Sequence, residues 1–254
     1  MSYFFIEVLE ISERINEEEK SMIRKPKKPY IRDVFLAELI KGARRTVPDG
    51  YPIIEKWMVP DVPPEELFQW DRRMDVVDPE KAGMSFYCND SGFIPILNNP
   101  KGYVEKLRKY YCIVGIDPSP YDNMPLVVQK SQIFNNLAIT YYYGTRGLKI
   151  IPNVRLGNNE TIGALSAFPK NTLIAVGTNG FTHKITNRET FKNQISIVVE
   201  VLNPSGIIVY GPASDYIFSA AIENNIPIYQ YDSYTMKENA KDRACKEVTG
   251  HERV

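Results

Sequence analysis

The stretch Cys112–Pro125, which reads CIVGIDPSPYDNMP, is the part of the chain that most clearly predicts its fold. Its first five residues are apolar or small, and an acid, two prolines, a serine, a tyrosine and a second acid follow. This order is typical of a buried β-strand that ends in a polar turn. In α/β proteins the turns at the carboxyl ends of parallel strands commonly form the ligand site.

The same pattern recurs along the chain, with a helical pattern between most of the apolar runs. Beside Cys112–Ile116, the candidate strands are Ser85–Cys88, Leu148–Ile151, Thr172–Val176, Gly206–Tyr210 and Ile226–Tyr229. Strands separated by helices of ten or more residues form βαβ units, whose strands are parallel. The sequence therefore predicts an α/β fold with a mostly parallel sheet of five or six strands and helices on both faces. A partial or distorted βα barrel is the alternative.

The helical patterns begin after Met124, at Asn187 and at Ser214, and a mixed-charge helix is predicted at the C-terminus. Residues 66–254 are expected to form the α/β domain, and residues 1–65 a helical N-terminal extension with a basic segment. Residues 20–45 carry nine basic side chains against two acidic ones. This block favours either nucleic-acid contact or a solvated surface that the acidic stretch beside it neutralises. Its candidate nucleic-acid residues are Lys20, Arg24, Lys25, Lys27, Lys28, Arg44 and Arg45.

Composition narrows the class of protein. The 254 residues carry no net charge, so no basic field over the whole chain indicates a nucleic-acid or membrane partner. The three cysteines lie far apart, which is typical of a reduced, cytoplasmic protein. Two histidines outside any Cys/His spacing do not predict a zinc site. No apolar run approaches the roughly 20 residues that span a bilayer, and no signal peptide is recognisable.

Each predicted strand is followed by polar or turn-forming residues, which parallel strands would bring to one edge of the sheet. Asp117 and Asp232 could together hold a divalent cation, or either could act as a general base. Arg155, beside Asn153, is suited to clamp a phosphate or carboxylate. The glycine turn Gly177–Gly180 could cradle an anion with its backbone N–H groups. The candidate ligand-binding residues are Asp117, Ser119, Tyr121, Asn153, Arg155, Thr178, Asn179, Gly180, His183 and Asp232.

Four blocks of this chain resemble an uncharacterised family, the domain of unknown function DUF4417. They are IDPSPYDNMP (116–125), GLKIIPNVRLG (147–157), AVGTNG (175–180) and IIVYG (207–211), and the resemblance covers roughly residues 70–234. At the first loop the family typically reads Ser-Pro-Asp-Phe-Ser, where this chain has Ile116 before Asp117 and Pro118 after it. The resemblance implies an origin in a phage or another mobile element. It implies no reaction and no cofactor.

Three functions follow as expectations. The first is binding of a small anionic or nucleotide-like ligand at the strand ends, with or without turnover. The second is a nucleic-acid-associated replication or modification factor that uses the basic segment 20–45. The third is an interaction protein that inhibits a host factor. The sequence leaves open whether the protein is an enzyme, which cofactor it uses and in what oligomeric state it acts.

Overall fold

In a computed structural model of the chain, the described residues are 36–120, 123–178 and 185–240. Every described residue belongs to one compact unit, which begins at Phe35. Most of the predicted N-terminal extension, including Lys20, Arg24, Lys25, Lys27 and Lys28, therefore lies outside the described residues. So do Tyr121, Asp122, Asn179, Gly180, His183 and the end of the predicted C-terminal helix.

Seven short parallel strands form the centre of the described part of the chain. One sheet has the order β1-β2-β3-β4 and the other the order β5-β6-β7. Their bounds are β1 Glu66–Gln69, β2 Ala82–Ser85, β3 Cys112–Val114, β4 Ile150–Ile151, β5 Leu173–Gly177, β6 Gly206–Tyr210 and β7 Ile228–Tyr231.

A single parallel bridge joins the two sheets. Asn153, just after β4, pairs with Ala175 of β5. The N–H of Ala175 donates to the carbonyl of Pro152 at 2.9 Å, and the N–H of Val154 donates to the carbonyl of Ala175 at 2.8 Å. All seven strands therefore follow one another in chain order, each beside the next.

Helices connect the strands, as the apolar periodicity predicts. The two long ones are α3, Leu126–Thr145, and α4, Ile185–Leu202. The backbone turns with positive φ after each of them, at Gly147 and at Asn203. The shorter helices are α1 Ile94–Asn98, α2 Val104–Leu107 and α5 Ser219–Glu223, and residues 234–240 form α6.

The first and last strands approach one another through side chains. The hydroxyl of Tyr231, in β7, donates to the carbonyl of Pro64, just before β1. The hydroxyl of Tyr210, in β6, donates to the side chain of Gln69 at the end of β1. Beyond β7, the ammonium of Lys237 in α6 lies 5.4 Å from the centre of the Phe68 ring. The strands thus curl until β7 lies near β1.

The predicted α/β class and the parallel strands are confirmed, and the structure differs in strand number and arrangement. It has seven strands in two joined sheets. Their sequential order and the approach of β7 to β1 correspond to the alternative of a partial βα barrel. A doubly wound sheet reverses its strand order, because its helices cross on both faces. The sequence pattern missed β1 because Pro60, Pro63 and Pro64 immediately precede it.

Residues 36–65 pack onto the same core. Leu39, Ile54 and Met58 are buried with the strand residues. A Cβ at Gly144, near the end of α3, would collide with the Met58 side chain, so glycine lets this irregular segment lie against the helix. Residues 36–65 therefore belong to the same compact unit as the strands. Within the described ranges, no helix is both long enough and apolar enough to cross a membrane.

Candidate functional site

A cavity of about 630 Å³ opens at the carboxyl ends of the strands. The loops after β1, β2, β3, β4 and β7, the end of β5 and one side of α4 all contribute to its wall. Parallel strands aligned in this way bring residues from distant parts of the sequence to one place. The polar and aromatic wall residues are Gln69, Asp71, Tyr87, Asn89, Asp117, Ser119, Arg155, Asn187, Thr190, Gln194, Tyr234 and Thr235, and Cys88 lies among them.

Asp117 is the most enclosed acid on this wall, with 9% of the residue exposed. Its Oδ1 accepts a hydrogen bond of 2.8 Å from Nδ2 of Asn153. Its Oδ2 lies 3.9 Å from Nη1 of Arg155, and both side chains are largely buried. That separation exceeds hydrogen-bonding distance. The carboxylate is therefore held at one oxygen and paired only loosely at the other.

Asn153 orients Asp117 because all the polar groups of its own side chain are engaged. Its Nδ2 also donates to the carbonyl of Ile116 at 3.2 Å, and its Oδ1 accepts from the Tyr87 hydroxyl at 2.9 Å. Nδ2 of Asn136, in α3, donates to the Asn153 carbonyl at 2.9 Å. Asn153 is only 1% exposed, so these bonds form away from solvent and fix the amide rigidly.

The close packing around Asn153 requires glycine at position 115. A Cβ there would lie 2.7 Å from the Thr140 hydroxyl and 2.8 Å from Oδ1 of Asn136. It would also lie 3.2 Å from the backbone nitrogen of Asn153. The apolar run that predicts β3 therefore ends in a glycine because the helix α3 and the β4 loop both approach it closely.

The negative charge of Asp117 acts on its neighbours. Burial raises the pKa of the Tyr87 hydroxyl well above its usual value, and Asp117 raises it further. Burial and the nearby Asp71 and Asp117 raise the pKa of the Cys88 thiol to about 11. The pKa of Asp90 is raised by burial and then by Asp117, although hydrogen bonds from Ser119 oppose the rise. The raised pKa values keep the Tyr87 hydroxyl and the Cys88 thiol neutral at ordinary pH.

Side chains of two helices hold the loop after β4 in place. Nε2 of Gln194, in α4, donates to the carbonyl of Gly157 at 2.7 Å. Oε1 of Gln129, in α3, accepts from the N–H of Asn158 at 2.8 Å, and its Nε2 donates to the Met124 carbonyl at 2.7 Å. These bonds position the loop that carries Arg155.

The opposite rim is built by aromatic side chains. The guanidinium of Arg72 lies 3.7 Å from the centre of the Tyr234 ring. The N–H of Tyr234 donates to the Tyr210 hydroxyl at 3.0 Å, and the Tyr210 ring stacks on the Tyr87 ring at 5.4 Å. The segment after β7 is thus tied to the loops after β1 and β2.

The structure brings some of the predicted site residues together and not others. Asp117, Ser119 and Arg155 line the cavity, while Asn153 lies behind it and holds Asp117. Thr178 is buried, and its hydroxyl donates to the Tyr210 carbonyl at 3.3 Å. Asp232 is exposed and does not line the cavity, so the proposed cation site of Asp117 with Asp232 is not assembled there. The described ranges contain no group of three or more His, Cys, Asp or Glu residues that could hold a metal.

Sequence reasoning missed the wall residues that follow β1 and β2 and those on α4. Gln69 and Asp71 follow a strand that the proline-rich context concealed, and Tyr87 and Cys88 were assigned to a strand rather than to the turn after it. Asn187 has the appearance of an ordinary exposed position at the start of a helix. The two short apolar runs within residues 66–90 are each followed by a polar turn. That signal could have identified Gln69, Asp71, Tyr87 and Cys88 as wall residues.

Within the described residues, the basic candidates for nucleic-acid binding do not form a shared basic surface. Arg44 donates to both carboxylate oxygens of Glu55, at 3.0 and 2.9 Å. Arg45 is exposed, and its backbone forms an antiparallel bridge with Pro52. The role of the segment in nucleic-acid binding stays a prediction.

The fold and the cavity define an α/β protein with parallel strands in chain order and a polar site at the strand ends. The chain belongs to the family described as Domain of unknown function (DUF4417), whose profile matches residues 51–232. This confirms the resemblance seen in the four sequence blocks, and the match begins earlier than expected, before β1. The chain is also similar to the Gene 1 protein of Mycobacterium phage L5, with 19% identity over 154 residues. That alignment covers 59% of this chain and 67% of the phage protein. No solved structure matches the chain.

Proposed function

We propose that this protein binds a small nucleotide-like ligand in the cavity at the carboxyl ends of its strands. The observation that carries the proposal is the convergence of six of its seven strand ends on one polar cavity that contains Asp117 and Arg155. Side chains scattered from residue 69 to residue 235 meet there. Short turns between strands and helices need polar residues for backbone reasons alone, but those reasons do not require the side chains to share a cavity.

The size of the cavity supports a ligand of this class. Small-molecule sites in proteins commonly measure about 300–1,000 Å³. At about 630 Å³ the cavity lies within that range. It has room for a base, a sugar and a phosphate, and far more than a single ion requires.

The wall chemistry also suits a nucleotide. Among the four amide side chains of the wall, those of Asn89 and Asn187 can offer both a donor and an acceptor to the edge of a base. The other two amides already bond within the protein, Gln69 to Tyr210 and Asp71, and Gln194 to Gly157.

The guanidinium of Arg155 can pair with a phosphate, although Asp117 beside it offsets part of that attraction. Tyr87 and Tyr234 add aromatic surface to the wall, although Tyr210 stacks on the first ring and Arg72 covers one face of the second.

Thermal unfolding in the presence of nucleoside mono-, di- and cyclic phosphates tests the proposal. A ligand at 100 times its dissociation constant stabilises the folded state by about 2.7 kcal/mol. For a chain of this size that shift in free energy raises Tm by roughly 5–10 °C. A flat response over the whole panel contradicts the proposal. Chromatography of the same mixtures reports whether a bound nucleotide is converted.

A matched pair of variants on α4 locates the binding. Asn187 and Asn193 are both exposed residues of this helix, but only Asn187 lines the cavity. Asn187→Trp should fill part of the cavity and remove the stabilisation by nucleotide, and Asn193→Trp should leave it unchanged. Equal stabilisation of both variants would place the ligand elsewhere.

The two other functions stay predictions. Nucleic-acid binding through residues 20–45 would show as salt-dependent affinity that disappears when the segment is deleted. Inhibition of a host factor would show as partner recovery from host lysate that Asp117→Ala leaves unchanged. Action inside a bacterial host, as expected for a relative of a phage protein, belongs to the same set of proposals.

A further inference from the structure

The gap between Asp117 and Arg155 has the dimensions of a site for one oxygen atom. Oδ2 of Asp117 and Nη1 of Arg155 are 3.9 Å apart. An oxygen about 2.8 Å from each atom, the ordinary hydrogen-bonding distance, would make an angle of about 90° between the two bonds. That angle is close enough to the tetrahedral arrangement of an oxygen with one hydrogen and two lone pairs.

The two side chains require different properties of that oxygen. A carboxylate accepts hydrogen bonds only, whereas a guanidinium donates only. Among the described residues, the hydrogen bond that Asp117 accepts reaches Oδ1, whereas Oδ2 is the oxygen nearer to Arg155, and both residues line the cavity. An atom between Oδ2 and Nη1 must therefore donate in one direction and accept in the other.

A hydroxyl group satisfies both conditions. An ammonium group only donates, and a phosphate or carboxylate oxygen only accepts. We propose that Asp117 and Arg155 bracket a hydroxyl group of the bound ligand, which donates to Asp117 and accepts from Arg155. This inference rests on the proposed function, and it identifies the ligand as one that carries a hydroxyl, such as the ribose of a nucleotide.

The surroundings keep this bracket rigid. Asn153 holds Oδ1 of Asp117, and Tyr87 and the Ile116 carbonyl hold Asn153 in turn. Little rearrangement is then needed when the ligand binds. A preorganised polar site discriminates strongly against a ligand that lacks the matching group, because its own buried groups are left unpaired.

Calorimetric titration with adenosine 5′-monophosphate and with its 2′-deoxy and 3′-deoxy analogues tests the inference. A hydrogen bond to a charged group contributes enough that at least one deoxy analogue should bind roughly 10- to 100-fold more weakly. A water molecule between Asp117 and Arg155, with the ligand elsewhere in the cavity, would instead give three equal affinities. Equal affinities overturn the inference and leave the proposed function standing.

A variant of Asp117 assigns the discrimination to this bracket. In Asp117→Asn, the amide would keep its oxygen towards Asn153 and present an N–H donor to the cavity beside the donors of Arg155. The ligand hydroxyl then keeps the donor of Arg155 but has no acceptor for its proton, so the difference between ribose and deoxyribose nucleotides should fall by roughly 5- to 10-fold.

Asp232→Asn makes the same chemical change at an exposed residue that does not line the cavity, and it should keep the full difference. A difference that Asp117→Asn leaves undiminished overturns the inference. Even if Asp117→Asn does not fold, the comparison of the three nucleotides on the unmodified protein still tests the inference. If another nucleotide of the thermal panel binds instead, the same comparison is made with its own deoxy analogues; if no nucleotide of the panel binds, both the proposed function and this inference are refuted.

Discussion

Replacing Asn153 with alanine should destabilise the fold far more than the small number of removed atoms suggests. The change removes the partner of three groups at once: the Tyr87 hydroxyl, Oδ1 of Asp117 and the carbonyl of Ile116. A buried polar group left without a partner costs about 1–3 kcal/mol. Asp117 borders the cavity, where water can replace part of what is lost, so we expect a total near the low end, about 3–4 kcal/mol.

Urea unfolding followed by circular dichroism measures this loss through the transition midpoint, with the slope m compared between variants. A typical domain is stable by about 5–15 kcal/mol, so the variant should still fold at low urea. Asn193→Ala, at an exposed position on α4, is the control and should cost less than about 0.5 kcal/mol.

A double-mutant cycle tests the reasoning more directly. In a Tyr87→Phe background the hydroxyl is already absent, so Asn153→Ala should cost about 1–2 kcal/mol less than in the unmodified protein. Strictly additive costs, or a loss below 1 kcal/mol for Asn153→Ala alone, would refute the view that this amide organises the site.

Three further changes probe the same region and the core. Gly177→Ala should cost about 1–3 kcal/mol because its Cβ would lie 2.6 Å from Cδ1 of Tyr87, whereas Gly163→Ala, with open space around it, should cost little in the same urea experiment. Tyr51→Phe should leave the urea midpoint unchanged or raise it, because the Tyr51 hydroxyl is the buried side-chain group without a hydrogen-bond partner among the described residues. A loss above 1 kcal/mol would contradict this. With its pKa raised to about 11, Cys88 should react with iodoacetamide at pH 8 on the order of 100-fold more slowly than an ordinary thiol, and faster as the pH rises towards 11, as followed by peptide mass spectrometry. Reaction at the rate of a free thiol would show that burial and nearby carboxylates do not suppress the thiolate.

The sequence was informative where a strand consists of a continuous apolar run. The strands β3 to β7 overlap the predicted runs, and the polar residues after β3 and β4 do line the cavity. Parallel strands buried on both faces must be apolar throughout, and their turns must be polar, so both features are visible without a structure. The strand β1, which has only four residues and follows a proline-rich segment, gives no such signal.

The roles of individual site residues were harder to predict. Asn153 and Arg155 both appeared as ligand contacts, yet Asn153 is almost fully buried and acts by holding Asp117. Residues two apart after a strand can face the cavity or the interior, and the choice depends on which glycine or bulky side chain approaches from another element. That approach, here of α3 to Gly115, depends on residues more than twenty positions away.

The sequential strand order has a consequence for how the protein is made. Each strand from β2 to β7 finds its neighbour already synthesised, so the sheet can grow as the chain leaves the ribosome. The cavity cannot be finished in this way, because Tyr234 and Thr235 are among the last described residues and close its rim. A nascent or truncated chain that ends before β7 would therefore have most of its core but an incomplete site. Ligand binding by this protein should report that translation has passed residue 235.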